Sequence, residues 1–583
     1  MELPKMQLDY AEAVANWFAI LGKECAERGE LEEALQFTRI AGYILAGQSR
    51  TLSNDQIETN MLYVAKRLPG GDITKRIKSP DEMCLHVMCE ALSAGGLTAM
   101  AARWMLNDRS GRRHSVALLS QTAAAPQDLI SIVSVRGGSV YTADPHSSLV
   151  GRAIWLRKLA YAHASHVVLH ADVSDMICGA AFGVPGGPPV MLVNHAAHIY
   201  WTCASVVDLM LNCRGGKLED IWASVHRGIS RYATLPIPLP DADASCLSDS
   251  GVARRRGEVR QRLGLSADSI VLLSAGASFK YLPIEGMDFV ATCEVLLHEL
   301  PEGVLLVAGF HGDERWQEAS RRVGSRIRTL GRLSQTEMAD LHAASDIYLE
   351  AFPFGTTTSL LESALRGLPV VLAPATCPPP YGSDGLAIDD VLERPTTTED
   401  YISTIVRLAR SLEDRQREGR SIQRSVLMHH TGDGWRQHLV DAMRAVPEEH
   451  RIYPLAPIAP TPRAIHEHWQ KVMPLAWNVS VEEALENAVS RALYLGLKPR
   501  VDDAVRQACR SARRIRSGRS IPLPLLTVLL NYVFRLVPNS VSIKLFRVVT
   551  FLFQGCLLTR LRNRLSCLLR QREPSPMPYQ EYR

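Results

Sequence analysis

Short, wholly apolar, β-rich runs that alternate with helical stretches leave a chain few ways to fold. A strand that is apolar on both faces must be buried on both, and a parallel sheet between helix layers does this. Two such stretches occur here. From about 80 to 245 the runs are CLHVMCEAL, HSVALLS, LISIVSV, SHVVLHA and PPVMLVNH; from about 255 to 450 they are SIVLLSAG, GVLLVAG, IRTLG, DIYLEAF and LPVVLAP. Between them, LPIPLPDADASCLSDSGVA is rich in Pro, Asp and Ser and marks a domain boundary. The expected fold class is α/β: two Rossmann-like doubly wound units with a cleft between them, flanked by helical N- and C-terminal segments.

The flanks differ in character. Segment 1–75 has helical periodicity, and Phe18, Leu21, Gly22, Gly29, Ala34 and Ala41 are spaced as in one tetratricopeptide repeat, whose small residues let two antiparallel helices approach. A generic helical hairpin packed on the next domain is the alternative. Segment 455–583 is read as a basic helical tail. The chain's net charge is +4, yet Arg506–Arg572 holds 14 Lys/Arg and no acid, so the remainder is acidic on balance. Within the tail, LLTVLLNYVF and VVTFLFQGCLL fall short of the ~20 apolar residues a spanning helix needs. Docking on an anionic membrane face is one expectation, and packing on the protein's own acidic surface is the other. Nucleic acid is not expected, because aromatics are not interleaved with the charges. Early acids and the lack of an apolar leader point to a cytoplasmic chain. The 12 cysteines include no C-x-x-C pair and no His/Cys cluster at zinc spacing, so no metal is expected.

The stretch FPFGTTTSLLE, at 352–362, lies between one strand and the helix leading to the next. Ligands of open parallel sheets bind outside the carboxyl ends of the strands, where helix N-termini offer free N–H groups to an anion. Thr356, Thr357, Thr358 and Ser359 are therefore candidates for a diphosphate cradle, the alternative being a simple helix cap. Lys280 lies in the loop after the first strand of the same unit, where it can neutralise charge on a leaving nucleotide. Glu362 lies one turn beyond, placed to accept from two ribose hydroxyls or to serve the helix dipole.

In order, KYLP, LPEGVLLVAG, RIRTLG with Glu337, DIYLEAFP, GTTTSLLE and RGLPVV resemble the C-terminal half of O-linked N-acetylglucosamine transferases and their bacterial relatives, over about 170 residues. The resemblance implies the GT-B arrangement, a nucleotide-diphosphate sugar as co-substrate, with UDP the nucleotide, and no other cofactor. It places the diphosphate on Lys280, Thr357, Thr358 and Ser359, and the ribose on Glu362. Two positions depart from that pattern: Thr357 stands where the family usually has His or Asn, and Glu362 where it has Asp. Phe354 replaces a glutamate typical of retaining transferases, which favours inversion.

The N-terminal unit should present the acceptor and the base. Gly95 and Gly96 resemble a glycine loop before a helix that opens near Thr98. His195 and His198, at i and i+3 of a helix expected to begin near Asn194, are the candidate bases, with core or capping roles as alternatives. His170, Asp172 and Asp175 form a further loop candidate. The expected function is glycosyl transfer from a nucleotide-diphosphate sugar to a protein, glycan or lipid acceptor, inverting and metal-independent. An epimerase of the same architecture and a non-catalytic binding protein are the alternatives.

Overall fold

The computed structural model describes residues 3–69, 82–93, 96–170, 175–241, 249–283, 286–375 and 382–463. The basic tail from 464 on, Gly95, Asp172 and the centre of the inter-domain linker lie outside the described residues. Among the described residues no helix is long and apolar enough to cross a membrane.

Among the described residues twelve strands form two sheets. The first contains β1 (Met83–Met88), β2 (Arg113–Leu118), β3 (Val140–Thr142), β4 (His166–His170), β5 (Val190–Asn194), β6 (Leu209–Asn212) and β7 (Tyr232–Thr234). The second contains β8 (Ile270–Ala275), β9 (Gly303–Ala308), β10 (Ile327–Thr329), β11 (Ile347–Leu349) and β12 (Val370–Val371). Their spatial orders are β3-β2-β1-β4-β5-β6-β7 and β10-β9-β8-β11-β12, with every pairing parallel. This is the doubly wound order, and it is the fold class expected from the apolar runs. Strand order reverses between β1 and β4 and again between β8 and β11, so each sheet opens a crevice at that point on its carboxyl edge.

The cores explain why these runs are apolar throughout. On one face of the second sheet Leu272, Leu305 and Leu349 pack with Phe289, Trp316 and Tyr401. On the other, Leu273, Leu306 and Tyr348 pack with Leu341, Leu360 and Ile422. The helix Asp249–Arg262 joins this half ahead of β8, because Arg256 and Arg260 both bind Asp346 at the start of β11, at 2.5 and 2.6 Å.

Several elements differ from the sequence expectation. LISIVSV is not a strand: Gln127–Val135 is a helix. Leu129 and Val133, at i and i+4, are buried, while Ile130 and Val135 face solvent, and Pro126 precedes a first turn carrying Asp128. The chain from 451 to 462 is extended, not helical, because Pro454, Pro457, Pro460 and Pro462 remove the donors a helix needs. It runs back along the N-terminal half, with Tyr453, Ala456 and Ala459 donating to Ser205, Gly228 and Val225. The helix Gly432–Ala445 belongs on the first sheet although it follows the second unit in sequence. There Trp435 is fully buried, edge-on to Trp104, and donates to Pro236 O at 2.7 Å.

The N-terminal segment is a hairpin of helices Leu3–Glu27 and Leu31–Gln48, onto which the helix Asp55–Ala65 packs. Gly22 is held to the smallest side chain, since a Cβ there would stand 2.4 Å from Thr38 Oγ1. The third helix is tied to the first sheet's half by Glu58, which accepts from Ser205 N at 2.9 Å and from the Ser205 hydroxyl.

Because Trp435 anchors the returning helix to the first sheet, Trp435→Ala should destabilise the protein by about 3–5 kcal/mol. Thermal unfolding measures this; an unchanged midpoint would mean that the returning helix contributes nothing to the fold.

Candidate active site

At the β8/β11 crevice two loops meet. The chain after β8 turns through Ser278–Tyr281, and the chain after β11 runs through Phe354 and Gly355 into the helix Thr357–Leu365. Lys280 Nζ donates to Gly355 O at 2.7 Å, and Phe354 N donates to Lys280 O at 3.3 Å. The ammonium therefore sits at the threonine turn, on the same edge of the same sheet. Gly276 makes this approach possible, because a Cβ there would lie 2.8 Å from Thr356 Cγ2 and 3.2 Å from Lys280 Cδ. Burial lowers the Lys280 pKa to about 8, against the opposing pull of Glu350. Glu350 is itself fully buried and accepts from Ala373 N and Ser383 N at 2.8 and 3.0 Å.

The four hydroxyls of the turn divide into two pairs. Thr356 is the N-cap residue, but its side chain does not cap the helix; its hydroxyl bonds Tyr348 Oη at 2.7 Å. Thr357 bonds Ser383 Oγ at 2.8 Å. Thr358 and Ser359 remain as the hydroxyls presented along the cleft, beside a helix start that no side chain caps. An anion there meets first-turn amides, two hydroxyls and one ammonium.

The cleft is lined from both halves of the molecule. Asn194, His195, His198 and Arg214 come from the first; Gly276, Lys280, Phe354 and the turn Gly355–Ser359 come from the second. Glu362 is one turn down the same helix, and its carboxylate bonds Arg103 Nη2 at 2.5 Å, an ion pair between the halves. A second link joins Arg214 to Gly382 O and Asp384 at 2.9 and 3.0 Å. Gly96 opens the helix Gly96–Asn107, two residues earlier than expected, and is exposed.

His195 and His198 are not on a helix. After β5 the chain turns, and Arg227, fully buried, takes the carbonyls of Ala197 and Ile199 that a helix would need for itself. Both imidazoles still reach the cleft. His198 packs edge-on to Phe354 at 5.9 Å, and burial, with Arg214 and Lys280 nearby, lowers its pKa to about 3. Burial lowers that of His195 to about 4. Asp175 caps the helix Met176–Phe182.

Sequence reasoning missed Arg214, Asn194 and two of the histidines behind His195, and it set the third, His170, in a loop, whereas His170 ends β4. His86, His114 and His170 lie inside apolar runs, and strand pairing brings them together: His195 Nε2 is 3.0 Å from His170 Nδ1, His170 Nε2 is 3.1 Å from His86 Nδ1, and His86 Nε2 is 3.0 Å from His114 Nδ1. The available signal was a histidine in each of three strands that are otherwise mostly core residues. Pairing also gathers Cys84, His86 and His114, far from zinc spacing in the sequence, so that their ligand-type atoms lie within 4.8 Å of one another.

No family model and no curated protein matches the chain. Among solved structures it is similar to a mutant of the Thermobaculum terrenum O-GlcNAc transferase (14% identity, TM-score 0.45, 79% of this chain and 85% of that one). It is also similar to a glycosyltransferase from Rickettsia africae (11%, 0.48, 63% and 99%) and to Anabaena HepE in complex with UDP and glucose (14%, 0.45, 62% and 100%).

Gly276→Ala tests the convergence of the two loops. The added methyl should force Thr356 and Lys280 apart at a cost of about 1–3 kcal/mol. Denaturant unfolding reads that cost; unaltered stability would show that the loops have room to spare.

Proposed function

We propose that the protein is a glycosyltransferase that takes its sugar from a nucleotide diphosphate, UDP in the first instance. The observation that carries this reading is the Lys280 ammonium hydrogen-bonded at Gly355, beside the uncapped start of the helix Thr357–Leu365. A diphosphate entering the cleft would displace a carbonyl from Lys280 and gain an ammonium, first-turn amides and the hydroxyls of Thr358 and Ser359. These groups are fixed by the fold before reaction, so they stabilise charge as it develops on the leaving diphosphate without reorganising.

An acceptor held by the first half would face that site. Its hydroxyl or amide proton passes to His195 or His198, both of which are neutral near pH 7 and so carry a lone pair. The acceptor atom bonds to the anomeric carbon as the bond to the diphosphate oxygen breaks, its electron pair leaving on the diphosphate. Phe354, an apolar ring in the cleft, offers no carboxylate on the sugar's side, which supports single displacement with inversion. Glu362 is the proposed ribose contact, reached if its pair with Arg103 opens or is shared.

Lys280→Ala should lower turnover by about 10²–10³-fold while the protein stays folded, as loss of one preorganised donor does. Mass spectrometry of cell extract incubated with the protein and a panel of UDP-sugars identifies donor and product; consumption of donor to an isomer without an acceptor would instead indicate an epimerase. Because Lys280 loses its proton above about pH 8, UDP affinity should fall as pH rises past that value. Calorimetric titration with Lys280→Ala should show no such fall. A pH dependence that survives the substitution would remove Lys280 from diphosphate binding.

A further inference from the structure

The histidines behind His195 form a staircase. Cys84 pairs with His114, and Met88 with His170, while Leu169 pairs with Leu192. His114, His86 and His170 therefore stand on the adjacent strands β2, β1 and β4, and His195 just past the end of the next strand, β5, each two residues further toward the carboxyl edge than the last. Steps of two keep every side chain on one face. Helices Gly96–Asn107 and Gly432–Ala445 cover that face through Trp104 and Trp435, and His86 lies edge-on to Trp104 at 5.3 Å. His86, His114 and His170 are 0–1% exposed, and only His195 reaches the cleft. At the far end Asp108, which follows the first of those helices, lies 3.2 Å from His114 Nε2.

The end group orders the whole chain. Burial pushes the Asp108 carboxyl up, but hydrogen bonds from His114 and Ser110 outweigh it and hold the pKa at about 2. An ionised carboxylate only accepts hydrogen bonds, so a neutral His114 carries its proton on Nε2 and accepts at Nδ1. The same logic passes to His86 and His170 and ends with His195 donating from Nε2. The reverse order would set the His114 lone pair against a carboxylate lone pair.

We propose that Asp108, His114, His86 and His170 hold His195 in the Nε2–H tautomer, so that its Nδ1 is the base that receives the acceptor's proton. This rests on the transferase reading above and chooses His195 over His198. The four residues behind it are positioning residues. When Nδ1 takes the proton, the positive charge is shared along polarised hydrogen bonds toward Asp108, and the proton returns by Nδ1 when products leave. A Ser-His-Asp triad uses one imidazole in this way; here three more lie between base and carboxylate. Arg112, 3.8 Å from Asp108, and the thiol of Cys84, held protonated by burial, are the other titratable groups at the far end. The Cys84–His86–His114 grouping is part of this chain, since its two ring nitrogens already bond each other.

The full chain labelled with ¹⁵N-histidine reads the tautomers directly by NMR. Nε2–H is expected at His86, His114, His170 and His195; Nδ1–H at His195 would overturn the proposal, as would one equivalent of zinc in the purified protein. In Asp108→Asn the amide can donate to His114 Nε2, so the chain should reverse. UDP release from UDP-glucose and UDP-N-acetylglucosamine should then slow at least about 100-fold, with UDP affinity changed less than about twofold. Reversed tautomers with unchanged turnover would also overturn it. Failure of the unaltered protein to bind UDP would sink the transferase reading itself, and with it the base role of His195, while leaving the tautomers as measured.

Discussion

An ammonium resting on a backbone carbonyl, Lys280 on Gly355, is the contact that brings the two loops of the second sheet together. It exists because strand order reverses between β8 and β11, so that the loops leaving these neighbours part to opposite faces and leave a crevice between them. A lysine partly withdrawn from water keeps its charge at a cost, seen in its lowered pKa. A carbonyl offsets only part of that cost, and an anion would offset more. The groups around it, an uncapped helix start and two hydroxyls, are those an anion requires.

The two halves are not independent scaffolds. The helix Gly432–Ala445 crosses back to bury Trp435 under the first sheet, and the proline-spaced segment that follows runs along the same half. Arg103 with Glu362, and Arg214 with Asp384, join the halves at the cleft. Of these pairs, Arg214–Asp384 is more deeply buried, and Glu219 also lies within 4.0 Å of Arg214 while accepting from the backbone of residues 213–215. Charges held this way fix a geometry more than they add stability.

Much of this was legible in the sequence, and the reasons are physical. Runs such as SIVLLSAG and GVLLVAG are apolar at every position, which only a doubly covered strand tolerates, so the α/β class followed directly. That Lys280 and Thr356–Ser359 would meet was legible because loops after strands of one parallel sheet must share an edge. LISIVSV was misread because a short apolar run does not reveal its period until its ends are weighed. The turn after β5 was misread because what prevents a helix there, Arg227 on the carbonyls of Ala197 and Ile199, comes from nearly 30 residues away in the chain. The histidine staircase was hidden for the same reason: its members are 25 to 84 residues apart, and only strand register makes them neighbours.

A crystal structure with UDP bound measures the central claim most directly. The account predicts the diphosphate at the amides and hydroxyls of Thr358 and Ser359, with Lys280 Nζ turned from Gly355 O onto a phosphate oxygen. A diphosphate bound elsewhere, with the ammonium still on its carbonyl, would contradict it.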